Sequence, residues 1–377
     1  MTSTGNHHKH PPLAKPSLGE WGRNEIAILG APCPVIKSLA GSIAESLLPK
    51  QSVCYVDADH AGVDVNPVSL TFDAVYTDKI QSRRIDLQRN PTMFERRAMM
   101  SGQDLILVNG NHFSAKAQIV LLHAKKLESL QRKADRLTNI IAIVEIDTNL
   151  EACPFLKAHL QTDTKVFGVG EQDALISWLA TTVTPVPVNG LVLAGGRSTR
   201  MGQDKSMMDY HGIPHRDYLL GLLATQEVPA YLSCRADQVI DITNGFPLVV
   251  DKFEGLGPYG AILSAMMTAP DNAWLVVATD LPLVTSATLT QLLSHRNPAR
   301  IATAFHNHAT GFPEPLITLW EPKAYPLLLS FLAQGNNCPR KALINSDINL
   351  IEPADPNWLI NVNTPEDVVA VRAQINI

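Results

Sequence analysis

The run LVLAGGRSTRMGQDKS (191–206) gathers residue types that hold a nucleoside triphosphate. Apolar Leu191, Val192 and Leu193 empty into Ala194, Gly195 and Gly196. Two adjacent glycines let main chain approach a ligand closely and turn N–H groups toward an anion. Arg197, Arg200 and Lys205 follow, cations that can neutralise phosphate oxygens. The spacing fits neither a Walker A loop nor a GxGxxG fingerprint, and a purely structural strand turn is the plain alternative. Asp280 closes the apolar run AWLVVATD (273–280), just before Pro282. Ligands collect at the carboxyl ends of strands in open parallel sheets. A carboxylate there, with no opposite charge beside it in sequence, suits a hard cation such as Mg²⁺ or caps the following turn. Asp251, at the end of PLVVD, has Lys252 beside it and reads equally as a surface pair. GLGPYGA (255–261) is either a helix N-terminus aimed at an anion or a tight turn. Arg340 and Lys341, in NNCPRK, suit the phosphate of a second substrate or a solvated helix start.

These residues need a frame, and the hydrophobic pattern supplies one. EIAILG (25–30), SVCYVDAD (52–59), DLILVNG (104–110), NIIAIVEID (139–147) and KVFGVG (165–170) read as strands. Helical patterns fall on residues 36–48, 115–136 and 172–180. The βαβ rhythm predicts an α/β fold in which a parallel sheet is covered on both faces. TTVTPVPVNG (181–190) is β-branched and proline-rich and reads as a linker. A second α/β unit opens at GLVLAGG (190–196), with strands expected at 230–235, 247–251, 273–280 and 299–305 and a terminal helix from Pro365. The expected division is a polar tail (1–23), an N-terminal domain (24–186) and a C-terminal domain (187–377).

Composition bounds the rest. With 377 residues, 45% hydrophobic and 18% charged, the chain has material for two cores. Lys and Arg total 31 against 36 Asp and Glu, a net charge of −5, which excludes a partner gripped by bulk positive charge such as nucleic acid. Asp, Pro and Gly interrupt every apolar run before the ~18–20 residues of a membrane span. Cys33, Cys54, Cys153, Cys234 and Cys338 lie far apart with no CxxC pair, as expected of reduced thiols in a cytoplasmic protein. His7, His8 and His10 lie in the polar tail and read as solvated.

LAGGRSTRMGQDK resembles the signature LAGGxSxRMGxDK of the molybdenum cofactor guanylyltransferase (MobA) family. The likeness continues in order through VVDKFEGLGPYGAILSA (249–265), VVATDLPLV (276–284), EPLITLWEP (314–322), LLLSFLAQGNNCPRK (327–341) and NVNTPED (361–367). It implies a Rossmann-like nucleotidyltransferase fold over residues 188–377, using GTP, Mg²⁺ and molybdopterin, with molybdoenzymes or their chaperones as recipients of the product. Leu193, Ala194, Gly195 and Gly196 would line the nucleotide site, Lys205 would contact the triphosphate with Arg200, and Asp251 would face the nucleotide. Asp280 would hold Mg²⁺, and Asn361 and Asn363 would lie near the acceptor or the metal. Ser233 stands where the family has a base-contacting asparagine; serine still offers a hydrogen bond. Related pterin cytidylyltransferases read LAAG at the turn, and the LAGG here leaves room for a purine, favouring GTP.

The N-terminal half is less explicit. AILGAPCPVIKS places Lys37 and Ser38 where a Walker A loop has its Lys-Ser/Thr, but the required glycines fall on Ala31 and Ile36. Pro32 and Pro34 also remove amide donors from the loop. DADHAG (57–62) and DLILVNGNHF (104–113) are similar to the MobB adaptor family, which implies a related domain whose phosphate loop has lost its function. Asp57, Asp59 and His60 suit a hydrogen-bonded turn better than a metal site. Two other readings compete for the whole chain. One is a different nucleotidyltransferase, acting with CTP on the same pterin or on a sugar 1-phosphate. The other is a non-catalytic cofactor-binding scaffold, against which intact Lys205 and Asp280 argue.

Overall fold

The structure, a computed structural model, describes residues 13–48, 50–59, 72–182, 186–196, 204–241 and 245–375. Arg197, Arg200, His60 and the tail histidines lie outside the described residues. The chain forms two compact units, one of Leu18–Thr184 and one of Pro185–Ile377 with the stretch up to Ser17.

In the first unit the strands are β1 (Glu25–Leu29), β2 (Val53–Val56), β3 (Ala74–Asp78), β4 (Arg83–Leu87), β5 (Leu105–Asn109), β6 (Ala117–Leu122), β7 (Ile140–Glu145) and β8 (Lys165–Phe167). Its helices are α1 (Cys33–Leu47), α2 (Met93–Met99), α3 (Leu127–Arg132) and α4 (Gln172–Thr182). Six strands make one parallel sheet in the order β2-β5-β1-β6-β7-β8, while β3 and β4 pair as an antiparallel hairpin. Ile26 and Ile28 pack with α1 and α4 in one core. Val120, Leu122 and Ile143 share another with Leu130 of α3.

The expected long helix at 115–136 is corrected here. Ala117–Leu122 is an inner strand, paired with β1 on one side and β7 on the other. Its run IVLL is buried on both faces, and a strand in the middle of a sheet satisfies that burial where a solvent-facing helix would not. Only residues beyond it turn helical, in short segments. The expected linker is likewise shorter: α4 runs to Thr182 and the next strand begins at Val188.

The second unit holds β9 (Val188–Leu193), β10 (Ala230–Cys234), β11 (Leu248–Val250), β12 (Ala273–Ala278), β13 (Ala302–Asn307), β14 (Phe312–Trp320) and β15 (Asn349–Ile351). Its helices are α5 (His215–Thr225), α6 (Pro258–Thr268), α7 (Ser286–Ser294), α8 (Ala324–Ala333), α9 (Pro339–Ile344) and α10 (Pro365–Ile375). The sheet order is β11-β10-β9-β12-β14-β13-β15, with β14 antiparallel to both neighbours and the other pairings parallel. Sequence patterning missed β14, because EPLITLW is apolar at nearly every position and shows no alternation.

Strand periodicity divides the core between two faces. Val192 packs on one side with Leu219, Leu220 and Leu223 of α5 and Leu289 of α7. Leu191 and Leu193 pack on the other with Ile262, Leu263 and Met266 of α6. Burying all of these side chains fixes β9 and β12 beside each other, Val276 opposite Leu191 and Ala278 opposite Leu193. The carboxyl ends of both strands therefore open onto one rim.

Candidate active site

At that rim lies a cavity of about 240 Å³, lined by Leu193, Ala194, Gly195, Gly196, Asp204, Lys205, Ser233, Asp251, Thr279 and Asp280, and by Gly257, Pro258 and Ala261 at the start of α6. A hollow of about 830 Å³ shares Gly195, Gly196, Asp251 and Gly257 with it and extends past Arg235, Asp237 and Glu254. Among the described residues no atom beyond the chain neighbours comes within 4 Å of where a side chain on Gly196 would begin, and at Gly195 the nearest is a carboxylate oxygen of Asp251 at 3.4 Å. The glycine pair thus leaves space that side chains would take up.

Several contacts hold the rim rigid. The Thr279 hydroxyl donates to the Leu193 carbonyl at 3.1 Å, tying the ends of β9 and β12. Arg235 donates through Nη1 to the Gly195 carbonyl at 2.6 Å and is itself held by Asp237 at 3.0 Å. Nothing in sequence marks Arg235 beyond its place after a strand, which is the one signal available. Ser233 is fully buried and donates to Asp251 at 3.2 Å. Burial raises the Asp251 carboxyl, while this hydrogen bond and Arg235 pull it back. Asp251 is therefore a carboxylate on the cavity wall whose nearest polar partner is Ser233.

Lys205 and Asp280 meet through a segment far away in sequence. Lys205 Nζ donates to the Val362 carbonyl at 2.8 Å and to Asn363 Oδ1 at 2.9 Å. The Val362 N–H donates to the Asp280 carbonyl at 2.9 Å. One residue, Val362, thus bonds both through the two peptide groups that flank it. The segment is anchored in turn by Asp367, which accepts from the N–H groups of Asn363 and Thr364, both at 2.9 Å. Those hydrogen bonds hold the Asp367 carboxyl below its ordinary range. Asp204 accepts from the Ser206 N–H at 2.9 Å and so fixes the turn that presents Lys205.

Asp280 is the most perturbed carboxyl of the rim. Burial pushes it up to about 6, the buried Glu314 adds to that, and Lys205 opposes it. Its Oδ1 is buried with no hydrogen-bond partner among the described residues. An unpartnered carboxylate oxygen costs several kcal/mol to bury unless a cation meets it, at roughly the scale of a lost charged hydrogen bond. The donor is hard and anionic, and it opens on the cavity that holds the glycine pair. This atom fits a divalent oxygen-loving cation.

The structure places the four residues expected near the second substrate as follows. Asn363 binds Lys205 rather than lining the cavity. Asn361 lines a different cavity, beside His306 and His308. Arg340 lies against the buried Glu314, Nη2 to Oε2 at 3.9 Å, because a carboxylate inside the sheet draws the nearest guanidinium. Lys341 is exposed on α9. In the N-terminal unit, Lys37 and Ser38 are exposed on α1. Asp57 accepts from Asn109 at 2.7 Å and from Tyr55 at 3.1 Å, a hydrogen-bonded turn.

A mostly parallel sheet with helices on both faces carries, at its strand ends, a glycine-lined cavity with a cation and a buried carboxylate, an arrangement that suits a nucleotide. Residues 190–350 match the MobA-like NTP transferase domain. The chain is 37% identical over 186 residues to a molybdenum cofactor biosynthesis bifunctional protein of Synechocystis sp., covering 49% of this chain and 54% of that one. It thus spans about half the length of that relative. It is 27% identical over 205 residues to a probable molybdenum cofactor guanylyltransferase of Nostoc sp., covering 50% of this chain and 92% of the other. Molybdopterin-guanine dinucleotide biosynthesis protein A from Archaeoglobus fulgidus is similar in structure over 50% of this chain and 98% of its own, with a TM-score of 0.43 and 20% identity. No helix among the described residues is long and apolar enough to cross a membrane.

Proposed function

We propose that this chain transfers GMP from GTP to molybdopterin and releases pyrophosphate. The observation that carries this reading is the Asp280 carboxylate, buried with an unpartnered oxygen in the cavity that Gly195, Gly196 and Lys205 share. The terminal phosphate of the pterin attacks the α-phosphorus of GTP, one P–O bond forms, and the bond to the departing pyrophosphate breaks. The main chain at Ala194–Gly196 and the first turn of α6 orient the triphosphate. Lys205, held by Val362 and Asn363, carries a positioned charge to the phosphate oxygens. Arg200 adds a second cation from the adjoining sequence. Asp280 would hold the divalent ion, Mg²⁺ in this reading, and that ion supplies further charge compensation when bound. A phosphate nucleophile is already ionised at neutral pH, so no side chain need take a proton. Ser233 and Asp251 together offer a hydroxyl and a carboxylate to the base or ribose.

The names of the relatives support guanine, as does Gly195, the first glycine of LAGG, which leaves the cavity wider than the alanine of LAAG would. Domains divide this work in the same reading: residues 187–377 catalyse, and residues 24–186 form a MobB-like domain without phosphate-loop function. Incubation of the full chain with Mg²⁺, molybdopterin and GTP, CTP or ATP in competition tests it. Pyrophosphate release with formation of the guanine dinucleotide supports the proposal. Preferential use of CTP would move the chain to the cytidylyltransferases, and no release with any nucleotide would leave a binding scaffold.

A further inference from the structure

A second cluster of donor atoms lies away from the glycine-lined cavity. His306 is on β13, and β13 runs parallel to β15 with Phe305 opposite Ile351. One step further along, that register sets His306 beside Glu352. His308, two positions on from His306, returns to the same side. The result is His306 Nδ1 at 3.1 Å from one oxygen of Glu352 and His308 Nε2 at 2.6 Å from the other. The imidazole rings lie 4.5 Å apart. One ligand atom from each of the three residues falls within 4.8 Å of the other two.

We infer that His306, His308 and Glu352 form a binding site for a first-row divalent cation of the zinc type, separate from the position at Asp280. Two imidazoles and one carboxylate are the donor set of three-ligand zinc sites. Two donors each about 2.1 Å from a shared ion stand no more than about 4.2 Å apart, so the present cluster closes around an ion with side-chain shifts below an ångström. Glu352 is 65% exposed and His308 60%, which leaves both free to make that adjustment. Without an ion the carboxylate pairs with one ring nitrogen of each imidazole; an ion takes those same nitrogens in the tautomer whose proton sits on the opposite ring nitrogen.

The surroundings add an independent observation. His306 and His308 line a cavity of about 340 Å³ together with Asn307, Thr310 and Asn361. Asn361 Oδ1 is buried there without a hydrogen-bond partner. A three-ligand zinc keeps its fourth position for water, and a water in this cavity has an acceptor to donate to. Asn361 directly precedes Val362, whose C=O and N–H bond Lys205 and Asp280. The signal in sequence is the short H-x-H of HNHATG (306–311), legible only once β15 brings Glu352 alongside.

The test is titration of the full chain with Zn²⁺ against a chromophoric chelator, with thermal unfolding in parallel. One equivalent is expected to bind and to raise the unfolding midpoint. H306Q/H308Q is expected to weaken that equivalent by at least about tenfold per histidine and abolish the midpoint rise, leaving the metal-free midpoint unchanged. Because the N-terminal tail also carries histidines, H7Q/H8Q/H10Q is the control and should keep the equivalent. Should the double variant fold poorly, E352Q serves in its place, read by loss of the visible bands of bound Co²⁺. The proposal is overturned if wild type binds no equivalent, if H306Q/H308Q and E352Q bind as wild type does, or if the equivalent disappears with the tail histidines.

Discussion

In the N-terminal unit β1 leaves its sheet at Gly30 and α1 begins at Cys33; in the C-terminal unit β9 leaves at Ala194 and the glycine pair follows. Both are strand-to-loop turns at the carboxyl end of a parallel strand, the geometry that gathers ligands. They differ in where their main-chain groups go. The Gly30 N–H donates to Asn111 Oδ1 at 3.4 Å, and the same side chain donates back to the Ala31 carbonyl at 2.9 Å. Pro32 caps α1 and Pro34 follows in its first turn, so neither offers an N–H. A side chain on Gly30, at φ +91°, would run into the Leu121 carbonyl at 2.4 Å, so this glycine serves packing. Cys33 is occupied with His112, Sγ to Nε2 at 3.4 Å. At Gly196, by contrast, no described residue beyond the chain neighbours comes within 4 Å and the glycine lines the cavity. The first turn is filled by its own protein, whereas the second leaves room beside its glycine pair.

The contrast can be broken most directly at Asp280. Asp280→Asn is expected to cut turnover at least about a hundredfold in a pyrophosphate-release assay, since the neutral amide cannot hold the divalent cation. The same change should stabilise the protein. The folded carboxyl titrates at about 6 against an ordinary 3.8, so the favourable contribution of its proton is fully present below about pH 3.8 and lost as pH rises through 6. At pH 7.5 Asp280→Asn should therefore gain roughly 1–3 kcal/mol over wild type, with the gain shrinking toward pH 4. Thermal melts across that range check the sign. Mg²⁺ should raise the midpoint of wild type and leave that of the variant unchanged.

Lys205→Ala comes next, with an expected loss of about a hundredfold in turnover and an intact fold by circular dichroism. Activity near wild type would remove Lys205 from the mechanism. Asn363→Ala sharpens the comparison further, because it removes the Asn363 Oδ1 acceptor from the Lys205 ammonium and leaves the Val362 carbonyl. A fall of roughly fivefold is expected, mostly in kcat, as for a positioning residue. The smallest effect belongs to the other loop: Lys37→Ala should leave GTP affinity and turnover within about twofold of wild type. A loss as large as that at Lys205 would show that the N-terminal turn binds phosphate after all.

Much of this site is legible in sequence because it is local. Gly195, Gly196 and Asp280 follow buried strands whose apolar runs announce themselves, and a residue just past such a strand must emerge at a sheet rim. Strands β1, β5, β7 and β12 are readable for the same reason. The helical reading of 115–136 fails where burial on both faces of an inner strand outweighs helical period, and β14 is missed because it carries no alternation. The surroundings of Arg340 and Asn361 are not legible in sequence, because Glu314 and the cavity beside His306 reach them only through the packing of distant strands.

Residue order alone determined that a glycine turn and a strand-end carboxylate exist, for each depends on a few consecutive side chains and on elementary strand geometry. Tertiary structure alone decided that they share a cavity, that Val362 bonds Lys205, 157 positions away, through its C=O and Asp280 through its N–H, and that Glu352 reaches two histidines. The reason is physical. Main-chain N–H and C=O groups carry no trace of their side chains, so which peptide they bond is set by the packing of distant strands and helices.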